Sequence, residues 1–243
     1  MWNLPNPKPQ TKPATDFYLM DFCPGIVLSD NMLPTLTPTA RAGLWESMVC
    51  ILADLHKTSI AKGSGLERHG RRGNYALRQL KTWGRQFRLG EPSIKANVSK
   101  HPKAPLVLEY TAKMERLITE LKARSGTVSN PEETTLVHGD YRLGNLILQG
   151  DGDSVRVAAV LDWEISTLGH PMGDLVYLLS PFAKEFMENG GPPLGMLSER
   201  GYIDLYCARR SIDPVTENEW GYWKVSDGQR ERARQSGGLR SWN

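Results

Sequence analysis

Two acids and an amide stand out in the middle of the chain. Asp140 closes the segment Val137-His138-Gly139-Asp140 behind an apolar run that begins at Thr134, and Asn145 follows five residues later. Leu146 to Gln149 and Val155 to Leu161 then read as strands joined at Gly150-Asp151-Gly152-Asp153, a composition that favours a hairpin turn. The returning strand ends on Asp162, a second acid behind an apolar run. Hard oxygen donors gathered by one hairpin suit magnesium, which prefers carboxylate, carbonyl and phosphate oxygens. Carboxylates at that range repel one another unless a cation neutralises them, so the cluster is expected to work with a divalent metal or a strong base beside it.

The surrounding elements must hold that cluster. The first 16 residues contain Pro5, Pro7, Pro9 and Pro13, which points to a disordered lead-in, residues 1–16. Phe17 to Met20 reads as a short buried strand broken by Cys23-Pro24-Gly25. A helix is expected from about Thr37 to Lys57, with Thr37 as cap, Pro38 in the first turn, and Leu44, Met48, Ile51, Leu52 and Leu55 on one face. A second is expected after Asn74, with Ala76, Leu80, Trp83 and Phe87 as its apolar stripe, ending near Gly90 before a loop over 91–105. Its other face carries Arg78, Lys81, Arg85 and Arg88, either a solvated basic surface or a landing place for an anion. Further helices are expected over about Leu108 to Arg124, from Pro171 to Ser180, and from Ser198 to Arg210.

Composition narrows the partners. Apolar residues make up 40% of 243 and charged residues 23%, enough for a packed core. The net charge of +3 resides in residues 221–243, which leaves the body neutral and argues against a nucleic-acid partner. Cys23, Cys50 and Cys207 form no CxxC pair, so neither a disulfide framework nor a zinc site is expected. No apolar run approaches the ~20 residues of a membrane span, and no secretory leader pattern is present. These features together predict an intracellular, cytoplasmic protein.

At this point the motifs resemble a known family. His138-Gly139-Asp140-Tyr141-Arg142-Leu143-Gly144-Asn145 resembles the HGDxxxxN catalytic loop of aminoglycoside phosphotransferase-like and choline kinase-like enzymes. Leu161-Asp162-Trp163-Glu164 resembles the segment that replaces DFG in those enzymes. Ser166 to Leu175 resembles the LSTLGHPxxDL run of a subgroup of kinase-like domains found beside acyl-CoA dehydrogenase domains, and Leu55-His56, Gly73-Asn74-Tyr75, Arg78-Gln79 and Trp83 agree with it. The resemblance covers residues 17–220 and implies an α+β fold: a protein kinase-like C-terminal lobe, mostly helical, with short β-hairpins around the catalytic loop.

The same resemblance implies ATP and magnesium as cofactors and a small-molecule hydroxyl as substrate, with a hydroxyacyl-CoA, an amino alcohol or an aminoglycoside as the classes. Asp140 would accept the hydroxyl proton, and Asn145 and Asp162 would hold magnesium against the phosphates. His138 would brace the loop, Arg142 would meet either a substrate anion or an acid within the loop, and Asp174 would cap its helix and hold the loop backbone. Met20, Asp21 and Phe22 would line the adenine hinge, with Ile147 as its apolar floor. Trp83, Trp163 and Tyr177 are expected to pack in the core, and Glu164 has no assigned role.

Family members carry a small lobe ahead of the hinge, with a phosphate-covering loop and a lysine, whereas 16 Pro-rich residues precede Phe17 here. The N-lobe is therefore expected to be largely absent and the 243 residues alone to transfer little or no phosphate, and residues 221–243 are expected to form a disordered, basic Gly-, Arg- and Ser-rich tail. Two other readings stand beside this one: a catalytically inactive remnant that serves as an interaction module, and a metal-dependent phosphoesterase built on His138, Asp140 and Asp162.

Overall fold

A computed structural model describes residues 20–96, 116 and 118–226. Helix α1, Pro38–Leu55, starts where expected: the Thr37 hydroxyl accepts from the Ala40 N–H at 3.1 Å, and Pro38 needs no donor in the first turn. Leu44, Met48 and Leu52 are fully buried on its inner face, and so is Trp45. The Trp45 ring meets Phe182, Phe186 and Tyr202 with ring centroids 5.8 to 6.1 Å apart. Each such side chain stabilises the fold by roughly 1.5–3 kcal/mol through burial alone, which makes α1 the centre of the core.

Helix α2, Tyr75–Ala96, begins after Asn74 as expected but runs past Gly90. Gly90 and Pro92 do not end it. A glycine costs only about 1 kcal/mol in a helix interior, and Pro92 removes one rung while its ring sits on the exposed side. The first six residues of the expected 91–105 loop are therefore helical; residues from 97 to 115, where the next helix was expected to start, lie outside the described residues. The end of that helix, α3 over 118–123, buries Ile118 and Leu121.

The strands form two small antiparallel pairs. β2, Leu146–Gln149, pairs with β3, Arg156–Val160, in the expected hairpin. β1, Thr135–Val137, pairs with β4, Thr167–Gly169, a strand with no forecast from the sequence. Helix α4, Met172–Leu178, and α5, Glu185–Glu188, lead to α6, Glu199–Arg210, which Ser198 caps and which lies along α1. A last helix, α7 over 217–226, carries the fold beyond the boundary expected at residue 220. Trp220, Tyr222 and Trp223 are all buried there, and their aromatic area holds the helix down. Met20, expected in a buried strand, is exposed and in no strand, whereas Phe17 to Leu19 lie outside the described residues.

Candidate phosphoryl-transfer site

Both strand pairs end at one place. β1 delivers His138, Gly139 and Asp140, and β3 delivers Leu161 and Asp162. Gly139 adopts φ +86°, and a Cβ there would stand 2.9 Å from the Ile165 carbonyl oxygen, so only glycine joins the histidine to the acid at this turn. The loop then packs downward through Tyr141, whose buried hydroxyl donates to the Met48 carbonyl of α1 at 2.9 Å.

Backbone register ties the two acids' segments together. The Leu161 N–H donates to the Asn145 carbonyl at 2.8 Å, and the Leu161 carbonyl accepts from His138 Nε2 at 2.8 Å. His138 Nδ1 accepts from the Asp140 N–H at 3.1 Å. These two contacts require the Nε2–H tautomer, so the ring is a strut between the Asp140 and Asp162 segments. Asp162 follows directly in the left-handed region, φ +64°, a conformation that aspartate tolerates better than most residues. Its exposed carboxylate makes no hydrogen bond or ion pair among the described residues.

Asp140 is only 7% exposed. Asn145 Nδ2 donates to the Asp140 backbone carbonyl at 2.8 Å and to its Oδ2 at 3.0 Å, and Arg142 Nε lies 3.6 Å from the same oxygen. Two acceptors on Nδ2 fix the amide's orientation and leave Asn145 Oδ1 as its remaining acceptor. Arg142 thus pairs with the acid of its own loop, one of the two partners expected for it.

Asp174 holds the loop from below. Its Oδ2 accepts from the His138 N–H at 2.7 Å and its Oδ1 from the Gly139 N–H at 2.8 Å, while His56 Nε2 lies 3.3 Å from Oδ2. The carboxylate does not cap α4, whose N-cap position is Pro171, because both its oxygens are committed to the loop. Trp163 also departs from its expected core role. It is 38% exposed, its ring lies 4.7 Å from the His138 ring, and its Nε1 donates to the Val160 carbonyl at 2.9 Å. Tyr177 is half-buried, and the Trp83 side chain lies outside what is described.

Residues expected at the hinge sit apart from this cluster. Met20, Asp21 and Phe22 are exposed, Phe22 at 88%. The chain after them joins the site at Ile26, which exchanges two backbone hydrogen bonds with Leu148 of β2, at 2.9 and 2.8 Å. Gly25 rests on half-buried Ile147, where any Cβ would come within 2.4 Å of its Cγ2. The basic face of α2 is reduced by one: Arg78 turns inward, donating to the Leu168 carbonyl at 2.9 Å and to the Gly73 carbonyl. That clamp explains why Gly73-Asn74-Tyr75 and Leu168-Gly169 matter to each other, and it removes Arg78 from any anion-landing surface. His56 was legible only as part of a motif; its place beneath Asp174 was not, nor were Tyr206 and Arg210 behind it.

Burial pushes the imidazoles of His56 and His170 below the ordinary histidine value, against the smaller opposing pull of Asp174 on His56 and Glu133 on His170. The unfolded chain therefore binds more protons than the folded one below about pH 6.5. The histidine contribution to stability is expected to be level above that pH and to fall as pH drops toward the folded values, by up to about 1.4 kcal/mol per pH unit for each ring. Urea unfolding at a series of pH values tests this; stability that stayed constant or rose on acidification to pH ~5 would contradict it.

Similarity to known proteins follows the same lines. Mouse acyl-CoA dehydrogenase family member 10 is 33% identical over 218 residues, covering 86% of this chain and 18% of the mouse protein. Rat acyl-CoA dehydrogenase family member 11 is 34% identical over 221 residues, covering 86% of this chain and 25% of its own length. The chain thus spans about a quarter or less of these relatives. A crystal structure of a candidate aminoglycoside phosphotransferase from Ralstonia eutropha superposes with a TM-score of 0.69 at 29% identity, over 90% of this chain and 61% of the other. Plasmodium vivax ethanolamine kinase shares the fold, with a TM-score of 0.57 at 17% identity over 93% of this chain and 64% of the kinase. The architecture is the α+β, kinase-like one. Among the described residues no helix is long and apolar enough to cross a membrane. The model of the phosphotransferase enzyme family (APH) matches residues 6–211, and the chain belongs to that family.

Proposed function

We propose that this chain carries the phosphoryl-transfer site of an ATP-dependent kinase that acts on the hydroxyl of a small molecule. The observation that carries this reading is the buried Asp140 carboxylate. It is oriented by Asn145, and its loop is clamped on both sides, by Leu161 through His138 and by Asp174 through two amides. Transfer of a phosphoryl group depends mainly on positioning and electrostatics, and a clamped loop supplies the first.

The donor set fits magnesium. Asn145 Oδ1 and the Asp162 carboxylate are hard oxygens without hydrogen bonds among the described residues, and one or two protein oxygens plus phosphates is the usual magnesium environment. A bound ion there would supply charge neutralisation for the nucleotide's phosphates. Asp140 accepts the proton of the attacking hydroxyl, and Arg142 beside it steadies the carboxylate. Met20, Asp21 and Phe22 would line the adenine and Ile147 would form its apolar floor, a reading supported by the bridge that joins the chain after them to β2 at Ile26. A coenzyme A ester draws less support from α2 than four basic residues would give, since Arg78 is engaged internally while Lys81, Arg85 and Arg88 remain on the exposed face.

A thermal shift with ATP and magnesium tests this reading. A nucleotide at a hundred times its dissociation constant stabilises the folded chain by about 2.7 kcal/mol, and a tenfold loss of affinity in Asp162→Ala should remove about half of that gain. No shift at millimolar nucleotide, or an equal shift in the variant, would count against it.

A further inference from the structure

A second chain of polar contacts runs behind the loop and is absent from the reading above. Glu133, just ahead of β1, accepts from Arg210 Nη2 at 2.7 Å, and Arg210 Nη1 donates to the Tyr206 hydroxyl at 3.2 Å. The Tyr206 oxygen lies 2.6 Å from His56 Nδ1, and His56 Nε2 reaches Asp174. His56, Tyr206 and Asp174 are all buried.

We propose that Glu133, Arg210 and Tyr206 form a positioning relay that holds His56 neutral and protonated on Nε2, and thereby keeps Asp174 aimed at the His138 and Gly139 amides. The inference rests on the reading of residues 138–145 as the catalytic loop. The hydrogen bonds run in one direction. Arginine has donors only, so the Tyr206 oxygen must accept from Arg210, and its single hydrogen is left to point at His56 Nδ1. That nitrogen must then present its lone pair, the hydrogen sits on Nε2, and Nε2–H donates to Asp174. A charged imidazole would face two hydrogens toward each other across 2.6 Å, or turn the phenol hydrogen away from its acceptor. The charged and titratable groups around His56 are Asp174 on α4, Tyr206 and Arg210 on α6, Glu133 before β1, and His170. Burial and Arg210 disfavour a proton on His56; Asp174 and Glu133 favour one.

The test is an NMR titration of the 243-residue chain labelled with ¹⁵N-histidine, with amide exchange measured alongside. In the unsubstituted chain His56 should be the neutral Nε2–H tautomer at pH ~7. Arg210→Met and Tyr206→Phe should each raise its titration midpoint by about one pH unit. The His138 and Gly139 amides should exchange about tenfold faster, while buried α1 amides hold their rates. Tyr206→Phe retains the ring and carries the test if Arg210→Met fails to fold. A charged or Nδ1–H His56 at neutral pH, or a midpoint and loop exchange that neither variant moves, would overturn the relay. No nucleotide or substrate enters these measurements, so failure of the relay and failure of the kinase reading are read separately.

Discussion

Asp140→Asn is expected to lower magnesium-dependent phosphoryl transfer by about 10²–10⁴-fold, the usual contribution of a positioned general base. Asparagine keeps the shape of the side chain but cannot accept the hydroxyl proton. It also sets an amide against Asn145 Nδ2, which now donates to Oδ2 at 3.0 Å, and against Arg142 Nε at 3.6 Å. The local hydrogen bond is recoverable by an amide flip, so the loop should stay folded and the thermal shift with MgATP should remain. The loss then falls on turnover rather than on nucleotide binding. Radiolabelled ATP keeps the ratio readable at low rates of transfer. A variant that transferred phosphate within threefold of the parent would remove Asp140 from the chemistry.

Asp174→Ala is expected to be the most destabilising single change at the site, by about 3–5 kcal/mol, since each buried donor left without an acceptor costs about 1–3 kcal/mol. Three donors lose their acceptor together: the His138 and Gly139 amides and His56 Nε2. None can turn to solvent, because Asp174 and His138 are fully buried and His56 nearly so. Asp174→Asn should cost less, since its carbonyl keeps one acceptor while its amide faces a donor. Urea unfolding followed by tryptophan fluorescence measures both; a loss below about 1 kcal/mol for the alanine variant would show that the loop is held by something else.

The parts of this fold that were legible in the sequence are those specified locally. Helix α1 announced itself through Thr37, Pro38 and an apolar face, and the β2–β3 hairpin through alternating residues around a Gly-Asp turn. The segment proposed as catalytic was legible because two strand-end acids and an amide stand at a spacing that resembles the HGDxxxxN loop. What stayed hidden depends on distant partners. β4 is three residues long and exists only through pairing with β1, Thr135 opposite Gly169. The relay joins His56 to Asp174 and Tyr206 across separations of 118 and 150 residues, and only the packing of α6 along α1 brings them into contact. Arg78 looked like one more charge on a basic face, yet a carbonyl 90 residues away turned it inward. Helix α7 was hidden for another reason: the basic residues that follow it masked two tryptophans and a tyrosine that bury well.

Manganese, a spectroscopic substitute for magnesium, offers the most direct measurement. Titrated into the chain with ATP and followed by electron paramagnetic resonance, it should occupy a nucleotide-dependent site, and Asn145→Ala and Asp162→Ala should each weaken that binding by about tenfold or more. Binding that needs no nucleotide, or that neither substitution alters, would mean that the amide and the acid do not share an ion, and the phosphoryl-transfer reading would fall with them.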